Sequence, residues 1–204
     1  MALVKYNNNS LSAITAASSL PTGAMTLIKE QTASSSSTIS FVHGSSDVVL
    51  DSTYPIYLFK FINIHPATDQ KKFMFQGTTN GSDFNTTMTT TWFQAYHDEA
   101  DSNTALTYVV GEDQAQGTSF QSLSEDTGND NDQNYCGELW LYNPSSTTFV
   151  KHFISNFNNA YSGNYSMNHY VAGYGNTTSA VDAVQFKMSS GNIDSGTIKL
   201  YGVS

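Results

Sequence analysis

Side-chain oxygens crowd Glu125-Asp126-Thr127-Gly128-Asn129-Asp130-Asn131-Asp132-Gln133-Asn134. Carboxylates and amides at alternate positions are what a hard cation such as Ca²⁺ takes. Asp130, Asp132 and Asn134 have the D-x-D-x-N spacing that opens an EF-hand loop, but Tyr135 then stands where that loop needs Gly and Leu141 where it needs Glu. The EF-hand reading fails. Two readings stay open: Ca²⁺ on Asp130, Asp132 and Asn134, or a solvated loop whose side chains satisfy their own backbone.

A second cluster is His97-Asp98-Glu99 with Asp101. An imidazole beside carboxylates is an acid/base or ligand set. Neighbouring residues on a strand or turn diverge, so the competing reading is a polar turn closing a hairpin. His43, His65, His97, His152 and His169 show no metal spacing, and there is no G-x-S-x-G elbow, P-loop or G-x-G-x-x-G. Cys136, the one cysteine, precedes an apolar strand and is expected to be a small buried side chain without a disulfide.

The third pattern is aromatic and amide-rich: Phe157-Asn158-Asn159-Ala160-Tyr161-Ser162-Gly163-Asn164-Tyr165. Tyr, Ser, Gly and Asn make adaptable recognition loops, and Tyr rings with Asn amides match the apolar faces and hydroxyls of sugars. The same composition also fits a subunit interface or an ordinary exposed loop in a Tyr-rich chain. Tyr161, Tyr165, Tyr174 and Asn164 are the expected ligand-contacting residues.

Composition narrows the partners. The 204-residue chain has a net charge of −9, only 12% charged residues and no Arg, its eight basic residues all being Lys. A nucleic-acid role is disfavoured, because no guanidinium offers bidentate phosphate or guanine contacts. An anionic membrane surface is disfavoured for the same reason, and no apolar run reaches the roughly 18 residues of a membrane span. Met1-Ala2-Leu3-Val4-Lys5 leads into Asn7-Asn8-Asn9 without an apolar core, so no signal peptide is expected and synthesis in a cytoplasm is. Ser, Thr and Asn supply a third of the chain, the neutral surface of a protein working outside a cell. A neutral saccharide meets no charge barrier on such a surface.

The elements holding these residues read as strands. Residues 1–24 are expected to form an extended arm, with a short helix possible across Leu11–Ala17; residues 25–204 form the folded domain. Alternation begins near Thr38. Tyr54–Ile64 has Tyr57, Phe59 and Phe61 on one face and Ile56, Leu58, Lys60, Ile62 and Ile64 on the other, a central strand buried on both sides. Phe73 and Phe75 align on the next, and Asn80-Gly81 signals a hairpin returning through Asn85–Tyr96. Shorter strands follow at Leu106–Val110, Gly137–Tyr142, Thr148–Ser155, Ser166–Ala172, Ala180–Met188 and Gly196–Val203, the last two expected to pair with each other. Short strands separated by Gly/Asn/Ser turns predict an all-β antiparallel β-sandwich or jelly roll.

Met1-Ala2-Leu3-Val4-Lys5, Phe93-Gln94-Ala95-Tyr96-His97-Asp98-Glu99, Gly128-Asn129-Asp130-Asn131-Asp132-Gln133, Asn143–Phe153 and Phe186–Asp194 resemble a family of small structural proteins of tailed bacteriophages, common in marine phages of cyanobacteria and similar hosts. The ending Gly196–Gly202 also resembles the final strand of phage tail and fibre domains. The resemblance implies a non-enzymatic virion protein on the particle exterior, made in the host cytoplasm. Its role would be a tail-fibre or receptor-binding module on host surface polysaccharide, or a capsid decoration or head-fibre protein. The arm would attach it to other virion proteins, and copies of the chain would associate, by analogy with phage fibres as a trimer. No cofactor is implied. The competing class is a glycan-cleaving enzyme, which needs two carboxylates about 5–10 Å apart; Asp98, Glu99, Asp101 and the 125–132 loop are the sources for such a pair.

Overall fold

The structure is a computed structural model and describes residues 24–204. The expected arm, apart from Ala24, and the short helix at Leu11–Ala17 lie outside the described residues. Within them the chain forms strands and no helix: β1 (Met25–Ser36), β2 (Ile39–Val42), β3 (Ile56–Pro66), β4 (Phe73–Thr78), β5 (Met88–Asp98), β6 (Thr104–Tyr108), β7 (Ala115–Gly117), β8 (Gln121–Ser122), β9 (Tyr135–Tyr142), β10 (Lys151–Tyr161), β11 (Tyr165–Gly175), β12 (Ala183–Met188) and β13 (Ile193–Val203).

Every pairing is antiparallel. β1, β2, β3 and β4 pair in turn with β13, β12, β9 and β8. Successive pairs alternate between two facing sheets, β1-β13-β3-β9 in one and β2-β12-β4-β8 in the other. That is a jelly roll, a long folded ribbon wound so that two Greek keys interlock. Two insertions extend the larger sheet. β5–β7 enter between β4 and β8, and β10–β11 between β9 and β12, adding β10-β11-β5-β6 beyond β9 with β7 against β5.

The core between the sheets is aromatic. Phe186 of β12 meets Phe41, Phe59, Phe61, Phe73 and Phe75 with ring centroids 5.0 to 6.5 Å apart. All six rings are buried, and burying one such side chain contributes roughly 1.5–3 kcal/mol.

Several sequence expectations are corrected. β12 and β13 do not pair with each other; they lie in opposite sheets and each pairs across the roll. Asn80-Gly81 does turn, with Gly81 at φ 75° and Asn80 Oδ1 accepting from the Ser82 and Asp83 amides. It is no hairpin, because β4 and β5 belong to different sheets. β1 was not expected, since it is an edge strand with a register shift between Leu27 and Lys29 that interrupts its alternation. β3 is not buried on both sides: Ile62 keeps the outward phase of Leu58 and Lys60 and is exposed, and the left-handed Asn63 (φ 52°) then reverses the phase, so that Ile64 turns inward. Cys136 is exposed rather than buried, on the outer face of β9, where its Sγ accepts from the Asn63 amide at 3.3 Å.

The outer face of the large sheet is less polar than a solvated face needs to be. Pairing register lines up Leu27, Tyr201, Leu58, Trp140, Ile154 and Ala172 across β1-β13-β3-β9-β10-β11. One row along, Glu30, Lys199, Lys60 and Glu138 stand side by side, followed by Asn156, Tyr170, Phe93 and Tyr108. Lys199 and Lys60 are like-charged neighbours, but each is paired outward, Lys199 to Glu30 at 3.0 Å and Lys60 to Glu138 at 3.2 Å.

Candidate functional site

The stretch expected as a loop is mostly strand. β10 runs to Tyr161 and β11 starts at Tyr165, leaving only Ser162-Gly163-Asn164 as the turn. Asn164 N donates to Tyr161 O at 3.0 Å, and Asn164 sits at φ 61°, the geometry of a three-residue hairpin closed by a left-handed residue. Tyr161 and Tyr165 are thereby cross-strand partners, their ring centroids 5.9 Å apart at 75°.

β5 brings the next residues. It pairs with β11 so that Gln94 opposes His169 and Tyr96 opposes Met167. The Tyr96 ring meets Tyr165 edge to face at 5.7 Å. The β5–β6 turn is built on the Asp98 carboxylate, which accepts from the Ser102 and Asn103 amides at 2.8 and 2.9 Å. The Ser102 hydrogen bond, then that of Asn103, holds the Asp98 carboxyl below its usual range. Asn103, so placed, donates from Nδ2 to Tyr165 Oη at 3.3 Å. Glu99 N donates to Asn164 O at 3.0 Å and ties the two turns together.

These residues close on a cavity of about 300 Å³ lined by Gln94, Tyr96, Asn103, Glu125, Tyr161, Tyr165 and Met167. Glu125 enters from the segment after β8 and is held by Lys72 Nζ at 3.3 Å; the same ammonium also binds Glu112. Burial by itself would lower the Lys72 pKa, but the hydrogen bond to Glu112 and the two carboxylate charges outweigh it and raise it. Gln94 Oε1 is buried without a donor. Beneath the cavity, His169 is fully buried and packs on Trp92 at 5.0 Å. Asn159 Nδ2 donates to Thr127 Oγ1, which leaves Asn159 Oδ1 to accept from His169 Nε2 at 2.7 Å. Burial first, and the Lys72 charge second, push the His169 pKa down to about 3, so this imidazole is neutral.

A second cavity of about 270 Å³ adjoins on the other side of the tip, lined by His97, Asp98, Glu99, Asn158, Asn159, Ala160, Tyr165 and Ser166. Tyr165 is common to both. The His97 cluster is a hairpin turn, its Nε2 lying 3.0 Å from Asp101 Oδ1 in solvent.

The expected ligand residues therefore divide. Tyr161 and Tyr165 come together on one cavity. Asn164 is spent on the turn, and Tyr174 faces a different groove beside His152, with ring centroids 6.0 Å apart. Sequence reasoning missed Gln94, Tyr96, Asn103 and Glu125. For Gln94 and Tyr96 there was a signal, their period of two with the buried Trp92; Asn103 and Glu125 arrive by tertiary folding alone. Of the expected cation ligands, Asn134 Oδ1 accepts from Cys136 Sγ at 3.6 Å, and the Asp130 backbone carbonyl meets His65 Nε2 at 3.2 Å. Among the described residues no group of three His, Cys, Asp or Glu side chains surrounds a common point.

Compared with known proteins, the chain matches no family model, no curated protein and no solved structure. The fold and the cavity define it as a jelly-roll β-sandwich with a tyrosine-lined cleft at one end of its extended sheet.

Proposed function

We propose that the chain is a non-enzymatic module of the exterior of a tailed-phage particle, and that its tyrosine-lined cavity takes a neutral saccharide of the host surface. The observation that carries this reading is the convergence of Tyr96, Tyr161 and Tyr165 with Gln94, Asn103 and Glu125 around one opening. Sugar rings present apolar C–H faces rimmed by hydroxyls. Tyrosine rings cover the first, and amide and carboxylate groups bond the second. With a net charge of −9 and no Arg, the protein repels acidic glycans and leaves neutral ones untouched.

Binding is favoured over cleavage. Among the described residues Glu125 is the one carboxylate lining the cavity, and Lys72 holds it, whereas glycoside hydrolysis uses a pair. Jelly rolls occur in both viral shells and lectins, so the fold contributes analogy only. A site this small binds at about millimolar strength, raised by avidity when many copies sit on one particle.

The test is a glycan array probed with the labelled protein at low and high salt. The reading expects neutral glycans bound equally at both, with loss in Tyr161→Ala/Tyr165→Ala. Binding confined to acidic glycans, or binding the double variant retains, overturns it.

A further inference from the structure

Among the described residues, most of the large apolar side chains left in water share one surface. Met25, Leu27, Ile62, Ile154, Tyr170 and Phe93 all lie exposed on the outer face of the nine-stranded sheet. Scattered exposed hydrophobics need no explanation, but a contiguous patch of several hundred Å² marks a contact surface.

We infer that this face is where a second copy of the chain packs. The first argument is area. Strands about 4.8 Å apart, rising about 3.3 Å per residue, make the seven strands from β1 to β5, taken over seven residues, roughly 34 by 23 Å in plan. Side-chain relief brings that to the scale of one side of a stable complex, about 800 Å² per partner. The second is charge. The chain carries −9 overall, so two copies repel wherever their acidic surfaces meet. On this face the four central charges cancel in pairs, Lys199 with Glu30 and Lys60 with Glu138, and repulsion is least there. The third is ring geometry. Phe93 and Tyr170 stack on one another, centroids 5.0 Å apart at 12°. Their ring faces are turned to each other, which suits interdigitating protein side chains better than a flat sugar. Beside them lies a groove of about 440 Å³ floored by Ala172 and Gly173, room for side chains from the facing copy.

The face is separate from the tyrosine-lined cavity at the hairpin tip, and the inference does not depend on that cavity's ligand. The experiment is light scattering on the full chain at about 100 µM, with Ile154→Glu and Leu27→Glu on the face and Val110→Glu, in an exposed loop off it, as the charge-matched control. The expected result is a mass of at least twice 22.2 kDa for the wild type and the control, falling to a single chain in both face variants with unchanged circular dichroism. A monomeric wild type, or face variants that keep the wild-type mass, overturns the inference; a monomer would leave this face to another occupant.

Discussion

Tyr165 and Tyr96 meet edge to face, ring centroids 5.7 Å apart and planes at 80°. The pair forms because β5 and β11 are neighbours in the extended sheet, although about seventy residues separate the two in sequence. Tyr165 is fixed again by Tyr161 across the hairpin and by Asn103 at its hydroxyl. A ring held on three sides is a rigid wall, and here it divides two cavities.

Two substitutions separate the ring from the hydroxyl. Tyr165→Ala removes two edge-to-face contacts and is expected to cost about 1–2 kcal/mol in urea unfolding. Tyr165→Phe keeps both rings in contact and loses only the bond from Asn103, so its cost should stay below about 1 kcal/mol. Equal losses would show that the ring packing contributes nothing.

Gly137 is a steric requirement. A Cβ there would lie 2.5 Å from Asn156 O and 2.7 Å from the Phe157 ring. The missing side chain gives Phe157 room beside Phe61, centroids 4.9 Å apart. Gly137→Ala should therefore cost about 1–3 kcal/mol through overpacking, read as a lowered thermal midpoint. A neutral or stabilising effect would mean the two strands are less closely packed than described.

His169 sets a pH dependence. Its folded-state pKa is about 3 against 6.5 for the free side chain. Between these values the unfolded chain binds a proton that the folded chain does not. Stability is therefore complete above about pH 6.5 and falls with decreasing pH, by up to about 1.4 kcal/mol per unit. His169→Gln should flatten the fall between pH 6.5 and 4.5, where most carboxylates stay ionised. An unchanged slope in that variant would place the acid sensitivity elsewhere.

Lys72 holds two carboxylates, Glu112 and Glu125, each largely shielded from water. Lys72→Met leaves them facing each other without a cation. The expected loss is about 1–3 kcal/mol at pH 7, discounted for partial exposure. Chemical denaturation of this variant beside Lys72→Arg, which keeps the cation, checks it. An equal loss in Lys72→Arg would assign the effect to packing of the lysine stem.

Alternation made the strands of the C-terminal half legible, because Phe153, Val184, Phe186, Ile198 and Leu200 each face a single core. It could not assign strands to sheets. β12 and β13 look like a hairpin in sequence and are split by the roll, since pairing in a jelly roll is set by contacts across the whole chain. Asn80-Gly81 misled for the same reason: the turn is real, yet the chain leaves it for the other sheet. Phase was lost wherever one residue adopts positive φ, as at Asn63. At the cavity, Tyr161 and Tyr165 were legible as a local pair, while Asn103 reaches Tyr165 through the Asp98-built turn and Glu125 is placed by Lys72, far away in sequence, at its carboxylate and by Tyr135 at its carbonyl.

The most direct test is a titration of the ¹⁵N-labelled full chain with a neutral oligosaccharide selected on the array, following amide shifts. The account predicts the largest changes at Gln94, Tyr96, Asn103, Glu125 and residues 161–165, equal at low and high salt. Changes centred instead on Tyr170 and Phe93, or none at millimolar sugar, would contradict it.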